Sequence, residues 1–400
     1  MRVLHLIATA QRRGAEVFAS DLVHALGQTG TDQAVVVLDG THAPAIGFDA
    51  PVAYLHGGAK GGWGAQPRTV VALRSVVRRW RPDVIQAHGG EPLMYASLAG
   101  GPPVVYRKIG GAHPRFRSGP LRPLYSWMLR RADAIIAVAE AMRREVTEQF
   151  RVPSSRVRTI PHAVDPQRIA PTRTREETRE VLGVPVTSRV VMSLGALTWE
   201  KDPMAALAAA TPMLDARRDV VLLFAGDGPL RGRLRQEVHA KGLDGRVRLL
   251  GVREDVGDLL TATDVLLLSS RIEGLPGCIV EAGMLGVPAA AYAVAGVPEI
   301  VSDGETGVLA EPGDVAGLAG ALRTIVDDRD LAQRLGATAR ILCDERYRID
   351  AVAPGYLATY EDVVGRPLTS IRRTGGRESQ GGERMDEVPS EVRARGDGAA

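Results

Sequence analysis

The stretch Val265-Leu266-Leu267-Leu268-Ser269-Ser270-Arg271-Ile272-Glu273-Gly274-Leu275-Pro276-Gly277-Cys278-Ile279-Val280-Glu281 passes from a continuous apolar run through a glycine- and proline-rich turn into a helix start. A continuous rather than alternating apolar run fits a strand covered on both faces, as in a parallel sheet flanked by helices. The turn then lies at the carboxyl end of that strand, where open parallel sheets bind ligands. Glu273 in the loop and Glu281 about one turn inside the helix stand eight positions apart. The backbone between them carries few bulky side chains and can approach a diphosphate closely.

Outward from this stretch the same unit of strand, turn and helix recurs. Strand-like runs occur at Val3–Ala8, Ala34–Leu38, Val52–Leu55, Val84–Ala87, Val104–Tyr106, Ala134–Val138 and Val157–Ile160. They resume at Val190–Leu194, Val220–Phe224, Val247–Leu250, Val265–Leu268 and Ala289–Tyr292. The fold class expected is α/β, with two doubly wound, Rossmann-like domains. A polar stretch between Pro161 and Pro185 marks the boundary. The expected organisation is a first domain over 1–165, a second over 166–346, a helix over 347–364 returning to the first, and a tail over 365–400. The tail is too poor in apolar residues to offset the entropy of ordering, so disorder is expected there.

Composition removes several function classes. Four hundred residues can bury two cores, and no run of ~18 apolar residues is present to span a bilayer. Gln11-Arg12-Arg13 interrupts the apolar start before a signal-peptide core forms, so a cytoplasmic protein is expected. Cys278 and Cys343 alone build neither a disulfide framework nor a four-thiolate zinc site. The 50 basic residues nearly balance 47 acidic ones and aromatics are 4%, poor material for stacking bases, so nucleic acid is not an expected partner. Only Lys60, Lys108, Lys201 and Lys241 among the basic residues are lysines, which gives weight to one at a motif position.

Several turns can receive an anion. Gly14 follows the first strand at a helix start, but no G-x-G-x-x-G spacing surrounds it, which argues against a nicotinamide dehydrogenase. In the second half, Gly195-Ala196-Leu197-Thr198-Trp199-Glu200-Lys201-Asp202-Pro203 places a lysine just before a helix capped by Asp202 and Pro203. A phosphate there would meet a point charge and a helix dipole together. Gly226-Asp227-Gly228-Pro229 and Leu250-Gly251-Val252-Arg253 close two further strands. Asp328-Arg329-Asp330 spells an acidic triplet but sits in a charged helical run, so no metal site is expected. Arg68–Arg81 and Arg115–Arg131 are basic and amphipathic, and together they point to contact with an anionic membrane surface.

Glu273-x7-Glu281 with Gly274-Leu275-Pro276, followed by Gly286-Val287-Pro288, Gly296-Val297-Pro298-Glu299 and Asp303-Gly304-Glu305-Thr306-Gly307, closely resembles the donor half of the retaining family 4 glycosyltransferases, which have the GT-B fold. Gly226-Asp227-Gly228-Pro229-Leu230, the Lys201 turn, Arg13-Gly14-Ala15-Glu16 and Ile160-Pro161-His162-Ala163-Val164-Asp165 fall in the family's order. The likeness spans roughly residues 1–363. It implies a nucleotide-sugar donor held by the second domain across the cleft, a hexosyl group transferred with retention, and no metal or other cofactor. Lys201 would contact the diphosphate, Glu281 the donor ribose and Glu273 the transferred sugar. Gly274, Leu275 and Pro276 would line sugar and phosphate, and Gly251, Val252 and Arg253 would border the base, with Gly14, Gly195 and Gly226 supplying the remaining donor-side turns.

The chain also departs from the pattern. Ala196 stands where members commonly carry an arginine, and Arg271, Arg13 or Arg12 could replace its diphosphate contact. His162-Ala163 replaces the usual Asn-Gly of the linker, and Arg107-Lys108-Ile109-Gly110-Gly111 replaces a histidine turn, with His113 further on. His88, at the end of a strand beside Gly89-Gly90, is expected on the acceptor side of the site, with a packed strand-end histidine as the plainer reading. Glu91, Arg107 and Lys108 are weaker acceptor-side candidates whose default reading is surface charge. The acceptor is a glycan precursor, lipid-linked as in cell-envelope assembly, or a soluble metabolite. A sugar-nucleotide epimerase and a non-catalytic nucleotide-sugar binding protein are the competing readings. A glycosidase would use two carboxylates but not Lys201 or the anion turns.

Overall fold

A computed structural model of the chain describes residues 1–41, 46–55 and 65–365; the tail expected to be disordered, from 366 onward, lies outside the described residues. The described residues form two compact units, one within 1–138, 143–160 and 353–365, the other of residues 139–142 and 161–352.

The first unit is built on a seven-stranded sheet: β1 (Arg2–Thr9), β2 (Asp32–Asp39), β3 (Val52–Tyr54), β4 (Val84–His88), β5 (Val104–Lys108), β6 (Ala134–Ala137) and β7 (Val157–Thr159). Their order is β3-β2-β1-β4-β5-β6-β7 and every pairing is parallel, so the direction of winding reverses between β1 and β4. Val3, Leu4, Leu6 and Ile7 of β1 are fully buried, as the continuous apolar run requires. Each such side chain contributes about 1.5–3 kcal/mol on burial. In register, His5 faces Val35 and Gln86, while His88 faces Arg107, which sets these polar side chains on one face of the sheet. The C-terminal helix, Ile349–Val364, brings Tyr356 and Tyr360 into this unit, where both are completely buried. Tyr360 donates to Gln86 Oε1 at 2.9 Å.

The basic stretch 115–131 is two helices, Pro114–Arg117 and Arg122–Arg131, rather than one. Gly119 and Pro120 separate them, and a Cβ at Gly119 would meet the Arg115 carbonyl at 2.7 Å. The other basic stretch is the single helix Pro67–Trp80, packed through Leu73, Val76, Val77 and Trp80.

The second unit carries a six-stranded parallel sheet: β8 (Arg189–Leu194), β9 (Val220–Ala225), β10 (Val247–Gly251), β11 (Val265–Leu268), β12 (Ala289–Tyr292) and β13 (Gly307–Ala310), in the order β10-β9-β8-β11-β12-β13. Here the reversal falls between β8 and β11. Strand β13 is not evident in the sequence, because it is a short edge strand that opens on a glycine and is buried only at its ends. The polar stretch after Pro161 is part of this unit rather than a bare linker. Thr174 and Glu177 form a capping box on the helix Arg175–Val181, and Arg179, buried, clasps Asp264 at 2.8 Å and the carbonyls of Ala262 and Ser188.

Candidate active site

The second unit gathers its sequence-derived site residues at the carboxyl ends of β8, β9, β10 and β11. Three glycine turns close the first of these ends backbone to backbone: Gly195 N donates to Ala225 O at 2.9 Å, and Gly226 N donates to Gly251 O at 2.7 Å. Gly226 has φ +146°, and a Cβ there would lie 1.9 Å from the Gly195 carbonyl oxygen; at Gly228 it would lie 2.5 Å from that of Leu197. No other residue fits either position.

From the turn after β8, Lys201 reaches Glu273, in the turn after β11, with Nζ 2.6 Å from Oε1. Burial opposes the ammonium charge most strongly, but the charge and hydrogen bond of Glu273 together with the other acidic groups around it outweigh it, and the Lys201 pKa is raised. The next helix starts as the sequence reading expects, with Pro203 in its first turn and Asp202 accepting from Ala205 N. Asp202 also binds Arg271, Nε to Oδ2 at 2.7 Å, and the Arg271 backbone N–H donates to Glu200 O at 2.7 Å. The guanidinium of Arg271 is thereby tied to the same turn as Lys201, 5.4 Å from the centre of the Trp199 ring. The helix Gly277–Met284 begins without a side-chain cap, directly after the turn that holds Glu273. Gly274 O accepts from Gly296 N at 2.9 Å, which pins the Gly274-Leu275-Pro276 backbone. Burial pushes the Cys278 thiol up to about 12 and keeps it uncharged beside Lys201.

Glu281 is bonded to Arg168, Nη2 to Oε1 at 3.0 Å. The sequence reading missed Arg168, since 113 positions separate the pair and one arginine in a polar stretch carries no signal. It also missed Arg231, which binds Asp227 at 2.9 Å and reaches toward Gly251. Val252 is exposed, and Arg253 is paired with Asp255 at 2.6 Å. His162 lies directly against Gly277, where a Cβ would come within 2.5 Å of its ring, so a side chain there would displace the imidazole. Asp328 caps the helix Arg329–Arg346, a structural role. Among the described residues no group of three or more His, Cys, Asp or Glu is placed to hold a metal ion.

In the first unit, Gly14 opens the helix Gly14–Gly27 with open space around it. Glu16, two residues on, is buried, and burial raises its carboxyl to about 7 against the pull of Arg13 and Arg107. Arg107 and Lys108 are interior residues, not surface charges. The Arg107 guanidinium lies 3.6 Å from the Phe18 ring centre and donates to the Tyr356 hydroxyl at 3.1 Å. Lys108 Nζ sits 2.7 Å from Glu145 Oε2, and Glu145 accepts from Ala112 N at 3.0 Å, which fixes the 110–112 loop. His88 is buried and 3.1 Å from His5. The same unit holds a cavity of about 500 Å³ walled by Met94, Ile109, Phe116, Leu124 and Met128, with Glu91 at its lining.

The sequence pattern of "Glycosyltransferase Family 4" matches residues 12–168, and that of "Glycosyl transferases group 1" matches residues 174–341. The chain is 31% identical over 313 residues, 72% of its length and 80% of the relative's, to the 2-deoxystreptamine glucosyltransferase of Streptomyces kanamyceticus. It is 26% identical over 276 residues, 66% of its length and 71% of the relative's, to the Escherichia coli UDP-Gal:alpha-D-GlcNAc-diphosphoundecaprenol alpha-1,3-galactosyltransferase. The crystal structure of Anabaena Alr3699/HepE in complex with UDP-glucose superposes with a TM-score of 0.78 at 22% identity, covering 90% of this chain and 100% of that one. With two parallel α/β domains of GT-B type and this likeness along most of its length, the chain belongs to the group 1 glycosyl transferases and is a glycosyltransferase.

Proposed function

We propose that the protein transfers a hexosyl group, with retention at the anomeric carbon and without a metal, from a nucleoside-diphosphate sugar to an amphiphilic, lipid-linked acceptor at the inner face of a membrane. The observation that carries the donor half is the Lys201–Glu273 pair, 2.6 Å across the reversal point of the second sheet. Charge grows on the diphosphate as the C1–O bond breaks and its electron pair moves to the phosphate oxygen. Lys201, Arg271 and the uncapped N–H groups at Gly277 supply the compensating positive charge that a divalent ion supplies elsewhere. The acceptor oxygen takes over the bond to C1, and its proton leaves with the nucleoside diphosphate. Glu273 binds hydroxyls of the sugar and Glu281, oriented by Arg168, binds the ribose. Gly195, Gly226, Gly251, Val252 and Arg253 complete the donor contacts that the second unit offers in this reading.

The acceptor half rests on the first unit's cavity. Its walls are mostly apolar, with Glu91, Tyr106, His113 and Tyr125 as the polar side chains, and Arg115, Arg117 and Arg122 stand exposed on the helices beside it, so hydrocarbon beside a phosphate suits it better than a cation does. The E. coli relative is named for a diphosphoundecaprenol acceptor, whereas the Streptomyces relative is named for 2-deoxystreptamine, a soluble one. No helix among the described residues is long and apolar enough to cross a membrane.

The test is release of nucleoside diphosphate from UDP-glucose, UDP-galactose and UDP-N-acetylglucosamine in EDTA, with either a short polyprenyl-diphosphate glycan or 2-deoxystreptamine as acceptor. The reading predicts release stimulated by the lipid acceptor. Release with the cyclitol alone overturns the acceptor assignment. Inversion of UDP-N-acetylglucosamine at C2, by elimination and re-addition of UDP with no net release, would indicate an epimerase.

A further inference from the structure

Across one face of the first sheet a line of hydrogen bonds fixes where every proton sits. Gln33 Nε2 donates to the Val23 carbonyl at 2.8 Å, and a carbonyl can only accept, so the orientation of the amide is settled. Gln33 Oε1, an acceptor, therefore faces His5 Nε2 at 3.0 Å, and that nitrogen carries the His5 proton. A neutral imidazole has one proton, so His5 Nδ1 is a bare lone pair. It lies 3.1 Å from His88 Nε2, which must donate. The single proton of His88 is thus spent on His5, and its Nδ1 is a second bare lone pair. Burial keeps both rings neutral, lowering His5 to about 4 and His88 well below its ordinary value.

His88 Nδ1 is buried and has no hydrogen-bond partner among the described residues. An acceptor left so costs about 1–3 kcal/mol unless something donates to it. The atom stands at the carboxyl end of β4, next to the reversal point of the sheet, where doubly wound folds take their ligands. The chain continues there through Gly89 and Gly90, and Gly90 lines the apolar cavity.

We propose that Gln33 and His5 are positioning residues that hold His88 in its Nε2–H tautomer, so that Nδ1 accepts a hydrogen bond from a hydroxyl of the bound substrate. The tautomer assignment stands on the geometry alone. The identity of the donor to Nδ1 rests on the glycosyltransferase reading.

The test begins with 15N spectra of protein labelled at its eight histidines, recorded without substrate. Loss of signals in His88→Gln assigns that ring. The expected spectrum shows His88 with Nε2 protonated and Nδ1 bare, and Gln33→Met is expected to yield a mixture of tautomers. Gln33→Glu restores the single form, because a buried, protonated carboxyl both donates to Val23 O and accepts from His5. In turnover of UDP-glucose, Gln33→Met and His88→Gln each lower kcat ~10-fold with KM for the nucleotide sugar nearly unchanged, and Gln33→Glu recovers it. A protonated Nδ1 on His88, or an unaltered tautomer in Gln33→Met, overturns the relay. An altered tautomer with unaltered turnover shows that a buried water rather than substrate satisfies Nδ1. Failure of the transferase reading appears separately, as wild-type protein with the expected spectrum and no turnover.

Discussion

Lys201 Nζ and Glu273 Oε1 lie 2.6 Å apart although 72 positions separate the residues in sequence. The sheet order makes this contact: β8 and β11 are neighbours, Val191 pairs with Val265, and the turn after each strand opens at the same edge. Each charge holds the other until a ligand arrives. In the function proposed above, a diphosphate competes for the ammonium group, and Glu273 is then released to bind sugar hydroxyls.

Lys201→Met and Glu273→Gln are therefore expected to lower turnover by about 10²–10³-fold, the range for loss of one preorganised charge-stabilising group. Both variants should retain the wild-type circular dichroism spectrum. The raised Lys201 pKa carries a sign: the pair's stabilisation is fully present below the unfolded lysine value and is lost as pH rises through the higher folded value. Urea midpoints above pH 10 should accordingly converge between wild type and Lys201→Met.

His5 makes the first unit acid-sensitive. Its pKa falls from 6.5 to about 4 through burial, so its contribution is complete above the unfolded value and is lost as pH drops toward the folded one. That window carries about 3 kcal/mol. Urea unfolding between pH 7 and 4 should show a steeper loss for wild type than for His5→Gln, which cannot titrate.

Glu16 acts in the opposite sense. Burial raises its carboxyl from 4.5 to about 7, so stability is greatest below the lower value and declines as pH rises through the higher. Glu16→Gln, which mimics the protonated form, should gain up to about 3 kcal/mol on wild type between pH 4 and 8. Chemical denaturation at the two pH values checks it.

Gly226→Ala places a methyl group 1.9 Å from the Gly195 carbonyl oxygen at φ +146°. The turn after β8 must then move, and with it Lys201. Loss of about 1–3 kcal/mol of stability is expected together with a rise in KM for the nucleotide sugar, whereas Gly232→Ala, with open space around it, should alter neither. Denaturation midpoints and donor KM values decide it.

Strands buried on both faces are legible because their apolar runs are continuous, and Val265–Leu268 displays this as plainly as β1 does. Local turn chemistry is equally legible: Asp202 and Pro203 announce a helix start three positions deep. Partners supplied from a distance are not. Nothing near Glu281 names Arg168, and nothing near His88 names Gln33, since only the parallel register of β1, β2 and β4 aligns them. Arg107 and Lys108 read as surface charges for the same reason: Phe18, Tyr356 and Glu145, which make their burial tolerable, come from other segments of the chain. Strand β13 is missed because four residues opened by glycine give too short a period to register.

The central claim is that the turns around Lys201 and Glu273 hold a nucleoside diphosphate through protein charge alone. Thermal unfolding of wild type and Lys201→Met with UDP, GDP, ADP, TDP or NAD, each with and without EDTA, tests it most directly, because a ligand bound to the folded state raises the melting temperature. Selective stabilisation of wild type by one nucleoside diphosphate, unchanged by EDTA and lost in Lys201→Met, is the expected result. Stabilisation by NAD alone, by no nucleotide, or equally in both proteins would contradict it.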